Sequence, residues 1–145
     1  MIRLPASALE PMREQARGAY PRECCGALLG RNRGGDNESR DVVRAVPLPN
    51  AWQGGQERRY LIESETVGEL EGQAERAGLE LIGFFHSHPD HPAQPSPFDR
   101  EQAWPWYTYV IIAVRPDAIG PVRAWRLADD RSAFSEEALT ILEDP

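Results

Sequence analysis

Residues 79–88 read LELIGFFHSH and run into Pro89. The run is apolar, partly β-branched and aromatic, and short for a buried helix. It therefore reads as a central strand of a sheet, ended where proline removes the ladder donor. On a strand, residues two apart face the same side, which brings the imidazoles of His86 and His88 to one point in space. That is metal-ligand geometry. A polar loop punctuated by Pro92, Pro95 and Pro97 then leads to Asp99, whose carboxylate completes a set of two histidines and one acid. Catalytic zinc sites keep three protein ligands and leave a fourth position to water, whereas structural sites are closed. The expectation is one Zn2+ ion with a bound water, whose pKa the ion lowers to about 7.

Water activated in this way needs a base that lies near the ion without binding it. Glu23 has the required setting, immediately before the apolar run of residues 24–29 (CCGALL). Such neighbours desolvate a carboxylate and raise its proton affinity toward the working range of a general base. Ser96 supplies a hydroxyl donor for the oxyanion of a tetrahedral intermediate, a role worth about 3 to 4 kcal/mol for a well-placed group.

Working outward, residues 24–29 form a short buried strand closed by Gly30. Residues 31–40 (RNRGGDNESR) are turn chemistry and residues 42–48 the returning strand, which together make a hairpin. Ser7 and Glu10 have capping-box spacing, which starts a helix over residues 7–19 and leaves Pro11 in its first turn. Residues 50–56 are a loop, residues 59–62 a short strand, and residues 64–77 a helix capped by Ser64 and stopped at Gly78. Residues 96–104 form a short helix, residues 108–114 (TYVIIAV) the clearest buried strand, and residues 122–127 another. Residues 135–142 form either a terminal helix or an extended tail. Helices interleaved with apolar strands give a layered α/β or α+β fold, one domain over residues 1–145.

Composition narrows the partners. The formal net charge is −7 and lysine is absent, so the clustered basic surface that neutralises phosphates is missing and no nucleic-acid partner is expected. No stretch approaches the roughly 20 apolar residues that span a bilayer, and MIRLPASALEPMREQ at the N-terminus lacks the features of a signal peptide. The expectation is a cytoplasmic chain without a membrane partner. Cys24 and Cys25 are adjacent, where a bridge strains the peptide between them, so both read as small buried filler.

Simpler readings compete at several positions. Ser96-Pro97-Phe98-Asp99 is also a strong helix start, with a serine cap, proline at the first helical position and an acid in the first turn. Capping and ligation are compatible, because a helix start fixes the direction of the acid. His91 lies between the ligand positions, but Asp99 already fills the third place. Trp104, Trp106 and Trp125 read as core, while Trp52, in a Gly-rich loop, is open to contact with a partner. Ser87 reads as a strand residue with a local hydrogen bond. Arg58, Arg59 and Arg100 are weak docking candidates for an acidic carrier protein. A zinc deaminase also pairs a metal with a nearby Glu, but its Pro-Cys-x-x-Cys ligands are absent.

His86-Ser87-His88, seven further positions, Ser96, two positions and Asp99 resemble the signature of the JAMM/MPN+ metalloproteases, His-x-His-x7-Ser-x2-Asp. Residues 21–30 (PRECCGALLG) resemble the family's Glu-bearing strand start. The resemblance implies a JAMM/MPN-like (cytidine-deaminase-like) domain with a mostly antiparallel or mixed curved sheet flanked by helices. It also implies zinc on His86, His88 and Asp99, Glu23 as base and Ser96 at the oxyanion. The chain is similar to the small bacterial Mec-type members, which trim residues attached to the C-terminal Gly-Gly of a ubiquitin-like sulfur-carrier protein. The partner implied is therefore the tail of a ubiquitin-like or sulfur-carrier protein. The alternative is a non-catalytic MPN-type protein-binding scaffold; members of that kind lack one or more of the ligands that are all present here.

Overall fold

The computed structural model describes residues 1–34 and 38–143. In chain order its elements are β1 (Ile2–Pro5), α1 (Ala6–Ala19), β2 (Cys25–Arg33), β3 (Ser39–Leu48), α2 (Ser64–Arg76), β4 (Glu80–Pro89), α3 (Pro97–Gln102), β5 (Thr108–Arg115), β6 (Ala118–Leu127), β7 (Phe134–Glu137) and β8 (Leu139–Leu142). All strands join one mixed sheet in the order β7-β6-β5-β4-β2-β3-β1-β8. The run at residues 79–88 is central, as its two-sided apolar pattern requires: β4 lies antiparallel to β2 and parallel to β5.

The ends of that order are β7 and β8, yet only Ala138 separates them in the chain. One extended segment therefore pairs antiparallel with β6 and then parallel with β1, and Ile2 donates from its backbone to the Ala138 carbonyl at 2.8 Å. The two ends of the sheet are thereby brought to neighbouring residues of one segment, so the sheet is strongly curved. Residues 135–142 are thus strand and contain no helix.

Helix α1 fills the interior of the curve. Leu9, Met12 and Ala16 are fully buried and join Leu28, Phe85, Val110 and Ile112 in one cluster. Each large side chain hidden there contributes about 1.5–3 kcal/mol. Helix α2 covers the other face, where Leu70 and Ala74 pack on Ala27, Leu29, Leu81 and Phe84. A bulge sets which side chains share that face. Leu28 pairs with Gly83 and Leu29 with Leu81, so Ile82 is the extra residue in β4. Alternation restarts after it, and Phe84, His86 and His88 come to the same side as Leu81.

Several local expectations change. Helix α1 begins at Ala6 with Pro5 at its cap position, and Ser7 makes no capping hydrogen bond. Pro11 consequently lies beyond the first turn; it and the residue whose carbonyl it leaves free, Ser7, are both exposed, so the missing bond is open to solvent. Ser64 is the first helical residue of α2 rather than its cap, which is Glu63. Gly78 does end that helix region with φ 71°, a left-handed conformation that glycine adopts without strain. Residues 59–62 are not a strand. Strand pairing of β2 and β3 reaches Arg33 and Ser39, well into the expected turn, whose residues 35–37 lie outside the described residues. Trp104 and Trp106 are exposed rather than core, at 64% and 44%. Among the described residues no helix is long and apolar enough to cross a membrane.

Candidate active site

The C-terminal end of β4 carries His86, Ser87 and His88, all buried. His86 and His88 face the α2 side of the sheet, as the spacing of two requires. Helix α3 returns Asp99 to them: its Oδ2 lies 3.2 Å from His86 Nε2 and 3.0 Å from His88 Nε2, and the two Nε2 atoms are 3.1 Å apart. Register brings in the fourth group. Cys25 pairs with His86, and Cys24 and Ser87 hold one another through two bonds, Ser87 N to the Cys24 carbonyl at 3.1 Å and Cys24 N to Ser87 Oγ at 2.8 Å. Continuing that alternation one step sets Glu23 beside His88. One ligand atom from each of Glu23, His86, His88 and Asp99 lies within 4.8 Å of all the others.

The hydrogen-bond inventory of this cluster fits a cation. His88 Nδ1 is 2.8 Å from the Pro92 carbonyl, which only accepts, so Nδ1 carries a proton and Nε2 is the nitrogen turned toward the cluster. Nε2 faces the Asp99 carboxylate, so positive charge, on the ring or on an ion between them, is what joins the two. Burial comes first in holding the His86 imidazole below its ordinary value, against the pull of Asp99. Burial alone would raise the Asp99 carboxyl, but the charge and hydrogen bonds of His86 and then His88 hold it well below the usual carboxylate range. Glu23 Oε1 and Asp99 Oδ1 are buried without any partner. Buried polar atoms are rarely left so. The corners of a tetrahedron with bonds of 2.0–2.1 Å stand about 3.3 Å apart, close to the spacing of the two Nε2 atoms and Asp99 Oδ2.

Glu23 is 3% exposed, and burial, followed by the charge of Asp99, pushes its carboxyl up to about 9. A cation among these groups lowers that value again, because it favours the ionised form. The Glu23 backbone is gripped from outside the sheet: its N–H donates to the Gln56 carbonyl at 2.7 Å and its carbonyl accepts from Asn50 Nδ2 at 3.1 Å.

Ser96 does cap α3. Its Oγ accepts from Asp99 N at 3.0 Å and its N–H donates to Asp99 Oδ2 at 2.9 Å. The reciprocal pair aims the acid at the histidines, and the Ser96 hydroxyl hydrogen remains available for donation. His91 is exposed and stands outside the cluster. Both cysteines are free and buried and stand outside the cluster, and burial pushes the Cys25 thiol up to about 12.

Two features were not legible beforehand. Tyr60, in a segment expected to be strand, stacks on His86 with ring centroids 4.4 Å apart and planes 25° from parallel. Residues 50–61 form a loop that packs toward α3, with Trp52 edge-on to Phe98 at 5.1 Å and the Arg59 guanidinium over both rings. Trp52 is thus half-buried and engaged within the chain. The Pro49-Asn50 turn signal marks where the loop starts, but nothing local shows where it lands.

The family model described as prokaryotic homologs of the JAB domain matches residues 5–128. Desampylase of Haloferax volcanii is 39% identical over 120 residues, covering 82% of this chain and 81% of that protein. The probable TtuB-protein conjugate cleaving protease of Thermus thermophilus is 32% identical over 142 residues, covering 98% and 84%. In fold, the chain is similar to a JAB1/MPN domain protein from Archaeoglobus fulgidus, with a TM-score of 0.59 at 20% identity over 97% of this chain and 99% of that one.

Proposed function

Because the chain belongs to the prokaryotic JAB/MPN (JAMM) family of metallopeptidases, we propose that it hydrolyses an amide bond at the C-terminal Gly-Gly tail of a ubiquitin-like or sulfur-carrier protein. The observation that carries this reading is the buried convergence of Glu23, His86, His88 and Asp99, with two carboxylate oxygens left unpartnered. The names of the two relatives, one a desampylase and one a protease for TtuB-protein conjugates, support the substrate class.

In this reading His86, His88 and Asp99 hold zinc. The ion supplies Lewis acidity, polarising the scissile carbonyl and lowering the pKa of water. Glu23 takes a proton from the attacking water as the new C–O bond forms, then delivers it to the amine nitrogen, and the peptide C–N bond breaks with the amine leaving. Ser96 donates its hydroxyl hydrogen to the oxygen that gains charge in the transition state. Donation from His88 Nδ1 to the Pro92 carbonyl orients the ring so that Nε2 is the ligating nitrogen.

The test incubates the purified chain with ubiquitin-like and sulfur-carrier proteins extended by a short peptide past their Gly-Gly ends, with and without chelator, and reads intact masses. Cleavage after the second glycine that chelator stops is the expected result. A chain that holds stoichiometric zinc and leaves every such fusion intact overturns the substrate assignment. A chain that binds no zinc overturns the enzyme reading.

A further inference from the structure

The Asn50 side chain uses its whole hydrogen-bonding capacity. Its Nδ2 donates to the Glu23 carbonyl at 3.1 Å and to the Arg59 carbonyl at 3.0 Å, while its Oδ1 accepts from Trp52 N at 3.0 Å and Leu61 N at 3.1 Å. A primary amide offers two donor hydrogens and two acceptor lone pairs, so all four positions are filled. Three of those partners frame the cluster of charged groups. Arg59 and Leu61 are the neighbours of Tyr60 on either side, and Tyr60 is the ring stacked on His86. Glu23 is a carboxylate of the same cluster. The fourth bond, to Trp52, is an Asx turn that starts the loop on its path to Phe98, beside Asp99.

Gln56 reinforces the arrangement. Its side chain donates to the carbonyls of Asn50 and Trp52 at 3.1 and 2.9 Å, and its own carbonyl accepts from Glu23 N. Both backbone polar groups of Glu23 are therefore satisfied by this loop. The Glu23 side chain, by contrast, has a buried oxygen with no partner at all. Its placement relative to the histidines thus rests on its backbone, which the β2–β4 pairing through Cys24 holds on one side and Asn50 and Gln56 hold on the other.

We propose that Asn50 is a positioning residue, whose carboxamide spans Glu23 and the two residues flanking Tyr60 and so fixes the separation between the carboxylate and the His86 imidazole. This rests on the peptidase reading for its kinetic consequence, but its structural half stands independently. Misplacing a reacting group by about 1 Å costs on the order of 100-fold in rate. Loosening Asn50 therefore acts on kcat, because it holds the backbone of Glu23, which carries the proton in the peptidase reading.

The test compares Asn50→Asp, Asn50→Ala and the parent chain by amide hydrogen exchange, zinc content and steady-state kinetics on a Gly-Gly fusion protein. Asp keeps both acceptors and loses both donors, which releases the Glu23 and Arg59 carbonyls while holding the bonds to Trp52 and Leu61. Expected are about 10- to 100-fold lower kcat in both variants with KM changed by less than about threefold, unchanged zinc content, and faster exchange at Glu23 N as the loop that carries its acceptor, the Gln56 carbonyl, loosens. Exchange at Trp52 and Leu61 rises strongly in the Ala variant and little in the Asp variant. Exchange in the core at Phe85 and Ile112 stays as in the parent. Unaltered exchange at Glu23 overturns the proposal whether or not the chain cleaves the fusion. Altered exchange with an unchanged kcat, or with the whole effect in KM, overturns the positioning role and leaves the peptidase reading intact. A parent chain that cleaves nothing counts against the peptidase reading, and the exchange data still decide the structural half.

Discussion

Replacing Glu23 by Gln changes the charge a buried side chain can carry and almost nothing of its shape. Burial first, and the charge of Asp99 second, raise the Glu23 carboxyl from 4.5 to about 9 in the absence of a metal. Because the folded-state value is the higher one, the contribution to stability is complete below pH 4.5 and is lost as pH rises toward 9. At about 1.4 kcal/mol per pH unit, the loss between pH 4.5 and pH 7 is about 3 kcal/mol. Gln has no proton to release and escapes this loss. With chelator present, Glu23→Gln should therefore gain up to about 3 kcal/mol on the parent between pH 4.5 and pH 7, or roughly 6–12 °C in Tm for a domain of this size. Thermal unfolding at half-unit pH steps measures the gap. The same variant should retain zinc and lose turnover by about 100- to 10,000-fold. A Tm difference that stays constant with pH refutes the elevated carboxyl. Turnover that survives removes Glu23 from the mechanism.

Asp99→Asn keeps the side chain's shape but removes its charge, and zinc affinity should fall by more than the roughly 10- to 100-fold attributed to outer partners of a metal site; competition with a chromophoric chelator reads it. Ser96→Ala removes both the cap and the hydroxyl, so we expect a stability loss of about 1 kcal/mol together with about 100-fold lower kcat. Denaturation and kinetics separate the two, and a stability loss with unchanged kcat confines Ser96 to capping. Gly83→Ala should be strongly destabilising, by about 2 kcal/mol or more, because an added Cβ overlaps the Thr108 carbonyl where β4 and β5 run side by side; a urea midpoint equal to that of the parent contradicts that packing.

The histidine pair, the Ser96–Asp99 cap and the apolar strands around them were all readable from sequence, because each depends on forces acting over a few residues. Alternation on a strand fixes the facing of His86 and His88, and a capping box fixes the direction of Asp99 within one helical turn. Local signals were weaker where they met a tertiary competitor. Ser7 and Ser64 have the chemistry of caps, but the caps fall two residues before Ser7, at Pro5, and one before Ser64, at Glu63, which leaves their hydroxyls unused for capping. Residues 135–142 have no strong local preference, and pairing with β6 and β1 decided them as strand.

Only the folded chain decided the rest. The bulge at Ile82 turns His86 and His88 toward the α2 face, and it exists because two strands must reconcile their registers, which neither encodes alone. Glu23 reaches the histidines through pairing between residues about sixty positions apart, and Tyr60 reaches His86 through a loop whose course is set by the four bonds of one amide. Sequence determines which groups are chemically able to act, because that follows from residue type and short-range geometry. Which of them meet depends on hydrogen bonds and contacts that form only after distant segments have been brought together.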